Sequence, residues 1–231
     1  MLPVTFTPLT TANAPALSEI TLCAYRDHYL HLWHDAGEWY MNHSFAVDQL
    51  TTELADPNAR YFMVNLNGEP VGFLKLNLDK VLPDTDSITH SEANDMELER
   101  IYLVKEATGH GVGQAAMRFV EDMARERGKK TLWLKSMDTG PALGFYERMG
   151  FKHHGTQRLN FPQMKEEFRG MIVLVKGIFL DGKRDHRVLT DVGLGLISSI
   201  LSPISANAEL VLKTDAQLYL GGITTLPVVS I

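Results

Sequence analysis

Thr108-Gly109-His110-Gly111-Val112-Gly113 is the segment whose residue types and spacing most plainly serve chemistry. An apolar strand, Leu98 to Val104, leads into it and an amphipathic helix leads out. Glycines between a strand and a helix start let the backbone approach a ligand closely. The unpaired first-turn N–H groups then face outward at the positive end of the helix dipole. The chemistry this allows is phosphate binding. Two common phosphate motifs do not fit. A dinucleotide fingerprint requires an acid about 20 residues past its glycines, at a strand end, and here that stretch is Lys129-Lys130-Thr131-Leu132-Trp133. A P-loop closes on Gly-Lys-Ser/Thr, whereas Gly113 is followed by Gln114 and Ala115.

A second segment, Ala142-Leu143-Gly144-Phe145-Tyr146-Glu147-Arg148-Met149-Gly150-Phe151, lies downstream. With the glycine turn it resembles the GNAT N-acetyltransferases, whose acyl-CoA pyrophosphate loop reads Gln/Arg-x-x-Gly-x-Gly/Ala and whose later segment reads Ala-x-x-Phe-Tyr-x-x-x-Gly-Phe. The likeness follows the family's element order over roughly residues 3 to 179. It implies an α/β (α+β) fold with a mixed, mostly antiparallel sheet, flanking helices and a β-bulge that splays the central strands. It also implies acetyl-CoA as cosubstrate. Thr108 stands where the family usually has Gln or Arg, and Thr139 where Asn often occurs.

The bulge is legible without the family. Met96 and Leu98 are apolar at one parity, with Glu97 and Glu99 between or beside them, while Ile101 and Leu103 are apolar at the other. A strand has period two, so the three-residue step from Leu98 to Ile101 is a phase slip, for which a bulge is the usual cause. The alternative is an ordinary strand with Tyr102 on one apolar face. The resemblance implies that N–H groups freed here, around Ile101 and Leu103, meet the acetyl carbonyl and the pantetheine amide. It adds Thr108, Gly109, His110, Gly111, Val112, Gly113, Thr139, Ala142 and Phe145 to the cofactor-binding set.

Acetylating an amine needs a neutral nitrogen, a polarised thioester carbonyl and a proton for the departing thiolate. An aliphatic amine of pKa near ~10.4 must first lose its proton. Family members often place a glutamate where Glu97 and Glu99 stand. Glu97 is the preferred base, because Glu99 can pair with Arg100 or Lys75; the alternative is two solvated strand carboxylates. Tyr146 matches the family's general acid, a phenol near ~10 against a thiol near ~8.5. Packing in a short helix is its other role. Cys23 lies outside both motifs, so direct transfer in a ternary complex is expected. As the lone cysteine it excludes an internal disulfide, suits a reducing compartment, and reads as a small buried residue of the first helix.

The order Glu97-Leu98-Glu99-Arg100-Ile101-Tyr102, with Lys105 and the glycine turn, resembles the bacterial polyamine (spermidine/spermine) N-acetyltransferase group. Asn67 to Gly72 and Leu74 to Asn77 add to that likeness. A small amine substrate follows from it, and a homodimer is compatible with it. Alternatives are an acetyltransferase of protein or antibiotic amines, and an acyl-CoA sensor without turnover. Trp33, Glu38, Trp39 and Tyr40 could form a cleft for a cationic amine, carboxylates supplying charge and rings supplying cation–π faces; otherwise these rings pack helices on the sheet. His28, His31 and His34 recur every third residue, but such steps drift around a helix and no His-Glu-x-x-His occurs, so no metal is expected.

Elements must position these residues. Val4 to Phe6 reads as a strand, and Ala16 to Trp33 as a helix capped by Asn13. Ser44 or Asp48 opens a helix ending near Asp56-Pro57. Arg60 to Asn65 and Pro70 to Leu78 are strands turning at Asn67-Gly68. Leu82 to Asp95 is a polar loop. The bulged strand, a helix from Val112 to Arg127 closed by Gly128, a strand at Thr131 to Lys135 and a short helix at Pro141 to Met149 follow. Strands near Phe151 to Leu159 and Phe168 to Lys176 end the domain. Residues 1–179 form the acetyltransferase domain and 180–231 an extension, strand-like at Glu209 to Tyr219 and Ile223 to Val229. That extension reads as a hairpin, an oligomer contact or a poorly ordered tail.

The 231 residues carry a net charge of −6 with 45% apolar content, enough for one sizeable core. That charge argues against nucleic acid or an anionic membrane as partner and favours cationic substrates. No apolar stretch reaches the ~18 residues of a membrane helix. The start lacks the basic and apolar regions of a signal peptide, so a cytoplasmic location is expected.

Overall fold

The computed structural model describes residues 3–83 and 90–179. The extension 180–231 and the loop acids Asp84 and Asp86 lie outside the described residues. Strands β1 (Val4–Pro8), β2 (Ala59–Leu66), β3 (Glu69–Asn77), β4 (Asp95–Leu103), β5 (Thr131–Met137), β6 (Lys152–Arg158) and β7 (Gly170–Gly177) form one sheet. Their order is β1-β2-β3-β4-β5-β7-β6, and every pair is antiparallel except β4 with β5. The helices are α1 (Ala14–His28), α2 (Glu38–Ser44), α3 (Val47–Ala55), α4 (Val112–Glu126) and α5 (Ala142–Arg148). This is the mixed, mostly antiparallel sheet with flanking helices that the sequence led us to expect.

The sheet is covered on both faces. On one, Met96, Leu98, Ile101 and Leu103 of β4 cluster with Val112, Ala116, Met117, Val120 and Ala124 of α4 and with Phe145 and Tyr146 of α5. On the other, Tyr61, Phe73 and Tyr102 meet an aromatic layer from the N-terminal helices, including Tyr25, Trp33, Tyr40 and Phe45. Asn67 and Gly68 turn β2 into β3 with φ of 56° and 89°, as a two-residue turn matched to strand twist requires.

The bulge lies where the phase slip places it. Leu76 faces Leu98 and Lys75 faces Arg100, so Glu99 is the extra residue. It explains how Met96, Leu98, Ile101 and Leu103 all reach one core. It also breaks the rule that neighbours point to opposite faces, since the side chains of Glu99 and Arg100 both reach Glu53 or its partner Lys75 on the helix-covered side. The parallel pairing of β4 with β5 stops at Leu98 and Leu134. Beyond that point β5 continues on β7 and β4 continues on β3. The two central strands part there.

Several local expectations need correction. The helical spacing from Ala16 to Trp33 is broken: α1 ends at His28, Leu30–Leu32 form a 3-10 turn, and Trp33 is extended and bridges Met164. Asn13 does not cap α1; its side-chain oxygen accepts from the Thr10 amide at 2.8 Å. Ser44 ends α2 instead of opening a helix, and α3 opens at Val47. Cys23 is exposed, because α1 buries Leu17, Thr21, Ala24 and Tyr25 and turns position 23 outward.

Gly72 is where β3 approaches β4 most closely, since a β-carbon built there would lie 2.1 Å from the Tyr102 carbonyl oxygen. Backbone cannot yield as a flexible side chain can. Gly72→Ala should therefore cost about 3 kcal/mol in urea unfolding, as overpacking against a fixed group does.

Candidate active site

Gly111, with φ 76°, is the residue that turns the chain into α4, and Gly109 just before it has φ 81°. Side chains rarely tolerate this left-handed region, so glycine is required there. No side chain caps α4, which leaves the first-turn N–H groups of Val112, Gly113 and Gln114 without helical partners. A cavity of about 320 Å³ opens at this point, lined by Leu103, Ala107, Thr108, Gly109, Gly111, Val112, Gly113, Gln114 and Phe145. Seven of the expected cofactor residues are thus brought together, from the end of β4, the loop, the first turn of α4 and α5. Ile101 is buried in the core beneath, while His110, Thr139 and Ala142 lie outside the lining. Ala107 and Gln114 join unannounced. Helix geometry could have supplied Gln114, whose N–H belongs to the same first turn.

Beside Phe145, the Tyr146 hydroxyl is completely buried and has no hydrogen-bond partner among the described residues. Burial pushes the phenol well above its ordinary range, and Tyr29 adds a smaller push in the same direction. An orphaned buried hydroxyl costs stability unless a ligand atom completes it. The glycine-lined cavity, the helix N-terminus and this hydroxyl together suit a phosphorylated thioester carrier.

The carboxylates occupy the opposite face of β4. Glu97 and Glu99 are both buried, at 4% and 7% exposure, so neither is a solvated strand carboxylate. The Asn77 amide, from β3, donates one hydrogen to each, at 2.7 Å in both cases. Their further surroundings differ. Glu99 forms ion pairs with Lys75 (2.9 Å) and Arg100 (3.3 Å). Glu97 has no cation within ion-pair distance among the described residues. Burial first, and then the Glu99 charge, raise its carboxyl above the usual range, against smaller lowering effects of Asn77, Lys135 and Lys80. The two neighbouring carboxyls therefore sit in different electrostatic surroundings.

The aromatic segment is arranged otherwise than as an open cleft. Trp33 and Tyr40 are buried and stacked at 5.1 Å, and Trp33 donates its ring N–H to the Tyr25 hydroxyl at 2.7 Å. Their faces are covered by other rings, which is the packing alternative. Trp39 is half-buried and stacks on His43. Glu38 is exposed and lines a groove of about 510 Å³ between α1 and α2, where Arg26 also lies. The His28 and His31 rings lie against different residues, Tyr29 and Phe168.

The profile of the acetyltransferase (GNAT) family matches residues 15–151, more than half of the chain. The chain belongs to that family. Relatives include an uncharacterized N-acetyltransferase from the pepI 3′ region of Lactobacillus delbrueckii subsp. lactis, 32% identical over 95 residues, or 41% of this chain and 52% of that protein. The streptothricin acetyltransferase of Streptomyces lavendulae is 34% identical over 85 residues, 36% of this chain and 45% of that protein. The chain spans about half the length of the curated relatives it matches. Among solved structures, the PaiA N-acetyltransferase of Thermoplasma acidophilum, in complex with coenzyme A, shares the fold with a TM-score of 0.58 at 15% identity. The match covers 76% of this chain and 99% of that one. The Escherichia coli ribosomal-protein-S18-alanine N-acetyltransferase gives 0.52 at 20% identity, covering 80% and 100%. Among the described residues, no helix is long and apolar enough to cross a membrane.

The raised carboxyl of Glu97 makes a stability prediction. A carboxyl that holds its proton to higher pH in the folded state than in the unfolded chain favours folding less as pH rises above the usual carboxylate range. Glu97→Gln imitates the protonated form. It should raise Tm at about pH 8 and leave it nearly unchanged at about pH 4, as scanning calorimetry at the two pH values would show.

Proposed function

We propose that the protein transfers the acetyl group of acetyl-CoA directly to a small cationic amine, with a polyamine as the first substrate to test. The observation that carries this reading is the buried, partnerless Tyr146 hydroxyl next to a glycine-lined cavity at a helix N-terminus. A relative in fold binds coenzyme A. When bound, acetyl-CoA supplies an acyl group activated as a thioester. The N–H groups of Val112, Gly113 and Gln114 bind its pyrophosphate, and the glycines keep side chains out of the way. The edge of β4 that leaves β5 after Leu98 supplies backbone groups for the pantetheine.

Glu97 accepts the proton of the incoming ammonium. Its raised proton affinity makes it a stronger base than an ordinary carboxylate. Tyr146 donates to the departing sulfur. Burial keeps its hydroxyl protonated but also widens the gap to a thiol near ~8.5, so the hydrogen bond it gives to the developing charge matters alongside the proton itself. Cys23, exposed on α1, takes no part.

A second reading rests on the likeness to streptothricin acetyltransferase: the acceptor is then an antibiotic amine. Thiol-release kinetics with polyamines, streptothricin-type and aminoglycoside amines, and lysine peptides separate the readings. Activity on none of them, with coenzyme A binding intact by calorimetry, would replace the enzyme with a sensor.

Two variants test the machinery. Gly113 is helical and lines the cavity, so Gly113→Val should reduce acetyl-CoA affinity more than ~10-fold in a folded protein by blocking backbone approach. Gly111 is less suitable, since its positive φ would add strain of its own. Tyr146→Phe removes only an unpaired buried hydroxyl, so Tm should hold or rise, while kcat should fall by ~10²-fold. Unchanged turnover would reduce Tyr146 to packing.

A further inference from the structure

Behind Glu97 and Glu99 lies a buried charge cluster that the proposed chemistry does not use. Glu53 reaches in from α3. It accepts from Lys75 at 2.7 Å and from Arg100 at 3.3 Å, and the Tyr61 hydroxyl also donates to it. Lys75, from β3, bridges Glu53 and Glu99, at 2.7 Å and 2.9 Å. Arg100 is completely buried and its Nη2 lies 3.3 Å from both carboxylates. Among the described residues, two acids and two bases balance within the cluster. Glu97 adjoins it through the shared Asn77 amide and is the one acid not matched by a cation within it.

We propose that Glu53 and Lys75 are positioning residues for the base: Lys75 bridges the carboxylates of Glu53 and Glu99, and the opposed charges of Lys75 and Glu53 set the field in which Glu97 takes up its proton. This inference rests on the assignment of Glu97 as base. Low dielectric surroundings make each buried charge felt strongly by its neighbours. The charge of Glu99 then sets how readily Glu97 gives up its proton. Burial opposes ionisation of Glu53, but Arg100 and Lys75 together outweigh it and bring its carboxyl down to about 2, so Glu53 stays charged throughout the working range. Lys80 and Lys135 also face Glu97, from the segment after β3 and from β5, and favour its ionised form. They are unchanged in the variants below.

The cluster's neutrality gives a test with a sign. Lys75→Met removes one positive charge, leaves a surplus of negative charge beside Glu97, and should move the acid limb of the kcat–pH profile up by about one pH unit. Glu53→Gln is nearly isosteric, leaves a surplus of positive charge, and should move the limb down by a similar amount. The double variant Glu53→Gln/Lys75→Met retains Arg100 with Glu99, a balanced pair, and its limb should return to within about half a unit of the parent. A role in folding alone would lower activity without moving the limbs in opposite directions, and calorimetry on each variant separates lost stability from a shifted limb. Should Lys75→Met fail to fold, the downward shift of Glu53→Gln decides. Limbs that coincide in all variants, while Glu97→Gln is inactive, would overturn this inference and leave the base assignment standing. Full activity of Glu97→Gln would remove the base assignment itself.

Discussion

One extra residue in β4 governs the site. A regular strand could not send Met96, Leu98, Ile101 and Leu103 into one core, because the last two fall at the wrong parity. Inserting Glu99 restores them. The same insertion lets adjacent Glu99 and Arg100 reach the same buried cluster on the helix-covered side. It coincides with the end of β4–β5 pairing at Leu98 and Leu134. Core packing, the charge cluster and the gap for a cosubstrate therefore share one cause.

The cluster would be an expensive arrangement if any member were missing. Charges taken from water lose several kcal/mol of hydration each, regained only with close partners and well-placed hydrogen bonds. Glu53, Lys75, Glu99 and Arg100 meet that condition by pairing crosswise over α3, β3 and β4. Among the described residues Arg100 leaves Nε and Nη1 without partners, a cost that its pairing with Glu53 and Glu99 offsets only in part. Glu97 stands outside the pairing, and burial first and then the Glu99 charge raise its carboxyl. A structural acid would be better placed with a cation. On the proposed reading, its exclusion is what suits it to proton transfer.

Local periodicity made much of this legible. The bulge followed from the Leu98-to-Ile101 step, the β2–β3 turn from Asn67-Gly68, and the start of α4 from the glycine run, because each is dictated by backbone rules within a few residues. The loop of the cofactor cavity was legible for the same reason. What failed depended on distant partners. The break of α1 after His28 follows from Trp33 bridging Met164, more than a hundred residues away. Trp33 and Tyr40 read equally well as binding faces or as core, and only the layer they share with Tyr25, Phe45 and Phe161 covers them. Glu53 escaped notice altogether, since nothing local on α3 distinguishes it from Asp48 or any other helix acid.

The two faces of β4 divide the chemistry between them. Tyr146 and the glycine-lined cavity belong to the α4–α5 side, whereas Glu97, Asn77 and the charge cluster belong to the side of α1–α3. In the proposed roles, a proton acceptor and a proton donor on opposite faces of one strand cannot neutralise each other directly. They communicate only through whatever occupies the gap where β4 leaves β5. An amine arriving from one face and a thioester entering from the other would meet there. On the proposed reading, the sheet thus separates the residue that takes up the amine's proton from the one that keeps its own until the sulfur departs. The pairing of β4 with β5 ends at Leu98, beside the bulge, and the two faces approach each other there.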